Sequence, residues 1–81
     1  MSMIVIDGIY RHYKGNLYKV LGVVKHSETL EDMVLYECLY ENEESMHWVR
    51  PLRMFTEEVH LGTKTVPRFE YIGYQKGNVQ I

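Results

Sequence analysis

Between Leu17 and His26 apolar residues fall on both alternating faces of one extended stretch, with Gly22 near its centre. A flat strand that buries one face alternates apolar with polar residues; this one does not. It reads as a strand that bends at Gly22 and serves two packing layers. On strict alternation Tyr18, Val20, Gly22, Val24 and His26 share one face. The polar loop Ser27–Asp32 follows, and then Met33–Leu39, a second strand with Val34, Tyr36, Cys38 and Tyr40 on a common face.

Shorter segments close on this pair. Gly8–Tyr13 reads as a strand, and Lys14-Gly15-Asn16 as a tight turn, since Gly and Asn tolerate positive φ. Glu41–Ser45 reads as a solvated turn before a strand at Met46–Arg50. Pro51 ends that strand because it lacks an N–H donor, and it suits the first position of a helix. Leu52, Phe55 and Val59 recur at helical spacing and predict about two turns over Leu52–Val59. His60–Thr65 reads as a loop or hairpin turn, Val66–Ile72 as the last strand, and Gly73–Ile81 as a fraying tail.

These elements predict one mainly β domain over residues 1–81, with its ordered core at about 8–72. Five strands, with one short helical turn before the last, fit a small SH3-like barrel. Curling the sheet would bury both layers around Gly22 and remove the edges.

At 81 residues the chain has room for one small core and one shallow groove. Its apolar fraction of 46% fits a globular domain rather than a disordered one. Cys38 stands alone, so no intrachain disulfide forms, which fits a reducing cytoplasm. No apolar run approaches the roughly 20 residues of a membrane span, and the first residues lack the basic region of a signal peptide.

The net charge of −2 argues against general electrostatic capture of nucleic acid. The charge is nonetheless in blocks. Arg11, Lys14, Lys19 and Lys25 form a basic run; Glu28, Glu31, Asp32, Glu37, Glu41, Glu43 and Glu44 form an acidic one. Either the blocks make separate faces, or oppositely charged strands pair across the sheet.

Three constellations could carry chemistry. His12 or His26 as base, Ser27 as nucleophile and Glu28 as orienter have the residue types of a triad. Ser27 lies beside its own base in sequence, however, and no glycine elbow precedes it. The plainer reading has Ser27 and Thr29 capping the loop backbone. His12, His26, His47 and His60 show no short metal-ligand spacing, so no metal or cofactor is expected. The third is an aromatic and basic face built from Arg11, His12, Tyr13, Tyr36, Trp48 and Arg50, with Tyr10 and Tyr18 nearby. Rings stack on peptides or bases, and Arg reaches carboxylate or phosphate. Against it stands a core role for Trp48 and half of the Tyr, with Arg50 paired to Glu28 or Glu31.

The segments Gly8-Ile9-Tyr10-Arg11-His12-Tyr13-Lys14-Gly15, Tyr18-Lys19-Val20-Leu21-Gly22, His26-Ser27-Glu28-Thr29, Leu39-Tyr40, Trp48-Val49-Arg50-Pro51, Met54-Phe55 and Pro67-Arg68-Phe69 occur in this order. Together they resemble the signature of a small bacterial family, domain-of-unknown-function family 1653, over residues 8 to 72. The resemblance implies an SH3-like, β-rich fold and carries no catalytic residues with it.

The expected function is a small cytosolic binding module. Arg11, His12, Tyr13, His26, Glu28, Tyr36, Trp48 and Arg50 are its candidate binding residues. Protein or peptide is the favoured partner, with single-stranded RNA as the nucleic-acid alternative and no membrane. The other reading is a nucleotide-like ligand binder or enzyme using His12, His26 and Glu28. A monomer, or a weak homodimer through an open edge strand, is expected.

Overall fold

The structure, a computed structural model, describes residues 4–74. The strands are β1 (Gly8–His12), β2 (Leu17–Lys25), β3 (Asp32–Cys38) and β4 (His47–Pro51), followed by a single helical turn α1 (Leu52–Phe55), then β5 (Glu58–Leu61), β6 (Lys64–Pro67) and β7 (Phe69–Tyr74). Five of them form one antiparallel sheet in the order β4-β3-β2-β1-β7, and β5 and β6 make a separate hairpin.

The expected barrel is therefore corrected. Among the described residues β4 and β7 form the two ends of the sheet and do not pair. The sheet curls instead. The guanidinium of Arg50, on β4, lies 5.4 Å from the ring centre of Phe69, on β7. Side chains of the two edge strands meet across the concave face without the backbone closing.

The bend in β2 is real, but its cause is a bulge at Leu21. Val20 pairs with Tyr36 and Gly22 with Leu35, so Leu21 is left over. A Cβ on Gly22 would meet nothing within 4 Å, so the bend does not depend on a missing side chain. The extra residue flips the facing of all that follows. Val23, not Val24, lies opposite buried Val34.

The concave face carries the core. Tyr10, Val20, Val34, Tyr36, Phe55 and Phe69 form the buried cluster, with Ile4, Tyr18 and Leu52 packed on it. Phe55 and Phe69 stack with ring centres 4.0 Å apart. Tyr10 and Tyr36 meet Phe55 at 5.4 and 5.5 Å. A core built from rings suits a domain too small to bury many aliphatic layers.

The helix is shorter than the two turns expected over Leu52–Val59. Thr56 ends it, donating its N–H to the Leu52 carbonyl at 3.1 Å and its hydroxyl to the same oxygen at 2.9 Å. Val59 instead pairs with Val66 in the hairpin. Gly62, at φ 65°, makes the turn. The expected last strand Val66–Ile72 is split at Arg68, whose N–H donates to the Glu57 carbonyl at 3.0 Å. Gly73 and Tyr74, expected to fray, continue β7; the rest of the expected tail, 75–81, lies outside the described residues.

Ion pairs account for only part of the charge blocks: among the described residues Lys25–Asp32 alone joins the basic run to the acidic one, and of the seven acids only Glu31 and Asp32 are paired. Lys25 meets Asp32 at 2.7 Å, Arg53 meets Glu31 at 3.0 Å and Arg68 meets Glu57 at 3.2 Å. Arg11–Glu70 and Lys19–Asp7 are looser, at 3.8 and 3.9 Å.

Candidate functional site

Register places the site. Tyr36 pairs with Trp48, and Val34 with Arg50, so Trp48 and Arg50 share the concave side. Tyr18 arrives on the same side, opposite Cys38. Together with Tyr40 and Asn42 from the β3–β4 connection, these residues line an open pocket of about 220 Å³.

Four of its side chains are held in place. The Trp48 indole N–H donates to the Ser45 carbonyl at 3.1 Å. The hydroxyls of Tyr18 and Tyr40 are 2.8 Å apart. Asn42 accepts the Glu44 N–H at 2.9 Å and sends its own amide toward the Tyr40 oxygen at 3.5 Å. Only one proton lies between the two hydroxyls, so the pair retains one O–H free to donate. Burial and the hydrogen bond to Tyr40 hold the Tyr18 hydroxyl far above the usual phenol range.

Arg50 is the exception in this neighbourhood. It is half-buried, it sits over Phe69, and among the described residues it forms no ion pair. Glu31, one of its two expected partners, is bound to Arg53 instead. A guanidinium packed on a ring and lacking a counter-ion keeps its donor fork available.

His12 and Tyr13 are not among the residues that line this pocket; His12 packs against the Phe69 ring that carries Arg50. The His12 ring lies 4.9 Å from that of Phe69 and 4.7 Å from that of Tyr13. Lys14 lies 5.9 Å from the Tyr13 ring centre. His12 Nδ1 accepts the Lys14 N–H at 3.2 Å. Burial first, and then the charges of Arg50, Arg68 and Lys14, lower the His12 pKa below its usual 6.5.

The other expected residues stand apart. Arg11 is on the outer face, against Glu70. His26 lies beyond the far end of β2, with Tyr18 near the other end, about 25 Å away at roughly 3.3 Å per residue. Its Nδ1 accepts the N–H groups of Glu28 and Thr29 at 3.1 and 3.3 Å, so it organises the turn. Glu28 is exposed there. His12, His26 and Glu28 therefore do not converge, and no acid–base pair forms from them. Tyr18 and Tyr40 were visible as aromatic neighbours of the face, whereas Asn42 was hidden in a segment that reads as a solvated turn. Its signal is the Asx turn it makes with Glu44, which frees its amide to point inward.

A second concavity, of about 320 Å³, is lined by Ile4, Val5, Tyr10, Phe55, Thr56, Phe69 and Tyr71 and holds no charged group. Among the described residues no three His, Cys, Asp or Glu side chains gather to hold a metal. No helix there is long and apolar enough to cross a membrane.

The family described as "Protein of unknown function (DUF1653)" matches residues 8–71. The chain belongs to the DUF1653 family. A crystal structure of a DUF1653 protein from Bordetella bronchiseptica is similar at 40% identity and a TM-score of 0.80, over 86% of this chain and 90% of that one. None of the curated proteins matches. The likeness supports the overall fold and leaves the use of the Trp48–Arg50 groove to its chemistry.

Proposed function

We propose that this domain is a binding module that takes a segment of a partner protein or peptide in the groove of Tyr18, Tyr40, Asn42, Trp48 and Arg50. The observation that carries the reading is Arg50: among the described residues, a guanidinium held on the Phe69 ring, at the rim of an aromatic pocket, with no acid to answer it.

Size and charge narrow the ligand. Sites for whole small molecules run to roughly 300–1,000 Å³, and this pocket offers about 220 Å³. It fits one side chain rather than a nucleotide. His12 and His26 lie too far apart for shared proton transfer, so the enzyme reading loses its support. The net charge of −2 disfavours nucleic acid.

The test sets a displayed random-peptide library beside filter binding of a mixed single-stranded RNA at low and moderate salt. Peptides are expected to enrich on the wild-type domain and to bind Arg50→Gln at least about tenfold more weakly, the scale of one lost hydrogen bond to a charged group. RNA is expected to pass through at both salts. RNA retention that depends on Arg50, with no peptide enriched, would hand the groove to nucleic acid.

A further inference from the structure

The edge of β4 bears on how a segment would enter this groove. In an antiparallel pair, successive residues turn their backbone groups alternately toward and away from the partner strand. The Cys38 N–H donates to the Met46 carbonyl at 2.8 Å, in the same register as Tyr36–Trp48 and Val34–Arg50. Met46, Trp48 and Arg50 therefore bond β3, while His47, Val49 and Pro51 face away from it.

The outward groups are not equally free. The Ser45 hydroxyl accepts the His47 N–H at 3.1 Å and donates to the His47 carbonyl at 2.7 Å. Pro51 has no N–H. Among the described residues, Val49 alone offers an outward pair of donor and acceptor on this edge. A strand bonded there places its next residues on either side directly across from Trp48 and Arg50, on the concave face.

We infer that the ligand binds as an extended segment added beside β4 through one rung at Val49, with an acidic side chain against Arg50 and an aromatic or large apolar side chain two residues away against Trp48. This rests on the binding-module reading above and specifies its partner. Charge decides the acid. The pocket holds one unanswered positive charge, one spare hydroxyl proton and one amide, which suits the planar monoanion of Asp or Glu; phosphate recognition uses clusters of Arg. Charge also decides against a second copy as occupant: two β4 edges paired about Val49 would bring Trp48 to Arg50 but leave both guanidinium groups without an acid.

The same peptide selection tests this. Enriched sequences should carry Asp or Glu two positions from an aromatic or large apolar residue, in either order. N-methylation of the residue between them should weaken binding to the wild-type domain at least about tenfold, as one lost rung plus the clash of the methyl group. Val49→Pro removes an N–H that no ladder bond uses, so it should lose the peptides while keeping its melting temperature. If peptides enrich and Arg50→Gln loses them, but N-methylation and Val49→Pro change nothing, the groove binds and strand addition fails. A requirement for a free peptide C-terminus also overturns it, as does a dimer in light scattering that Val49→Pro dissolves. No enrichment at all sinks the groove reading itself.

Discussion

Polar side chains gather at both ends of the β2–β3 hairpin, at the tip and, with β4, at the groove, and the two ends use them in opposite ways. At the tip the His26 ring accepts the amides of Glu28 and Thr29, the Thr29 hydroxyl accepts the Glu31 N–H at 3.2 Å, and Glu31 is bound to Arg53. At the groove end, Tyr18, Tyr40 and Arg50 are held in place but keep valences to spare. A residue that looks catalytic on paper is spent when its own turn consumes its lone pairs. A residue that looks structural becomes available when its expected partner pairs elsewhere.

Three measurements bear on this contrast. The largest effect is expected beneath Arg50, at the ring on which its guanidinium sits. Phe69 stacks on Phe55 inside the core, so Phe69→Ala should lose about 3–5 kcal/mol in urea unfolding. A loss under about 1 kcal/mol would mean that the groove end is not seated on the core. At the tip, His26→Ala deletes an acceptor for two backbone amides. It should lose about 1 kcal/mol, on the scale of a removed cap, and leave peptide binding unchanged. A change in binding would break the separation of the two ends.

The smallest effect concerns His12. Its folded-state pKa lies below the usual 6.5. Between those two values the unfolded chain binds more protons than the folded one, so stability falls as pH drops through 6.5 and downward. Melting temperature followed from pH 7.5 to pH 5 should decline, and His12→Gln should flatten that part of the decline. An unchanged slope would place the titrating group elsewhere.

Much of the sheet was legible because its signals are local. Asn16 and Gly15 made the first turn, Pro51 ended β4, and the doubled apolar faces of Leu17–His26 announced a bend. What alternation could not see was the bulge at Leu21. One unpaired residue reversed the facing of β2, and with it His26 lost the side it was expected to share with Tyr18. Likewise Leu52, Phe55 and Val59 keep helical spacing, yet the Thr56 hydroxyl stops the turn and Val59 finds Val66. Barrel closure failed on a longer-range matter. Arg50 and Phe69 meet across the concave face, so the core is covered before β4 and β7 need to join. The groove residues Trp48, Arg50 and Tyr36 could be named from alternation alone, whereas Asn42 depended on the turn after β3, and the Phe69 ring under Arg50 on the chain returning as β7.

The Ser45 hydroxyl, which occupies both outward backbone groups of His47, also bears on how the protein behaves when crowded. Were His47 uncovered, its amide and carbonyl would join those of Val49 into a longer row of sticky valences, the kind along which identical chains stack into insoluble fibres. A single oxygen thus shortens the exposed row on this edge to the one residue Val49 among the described residues.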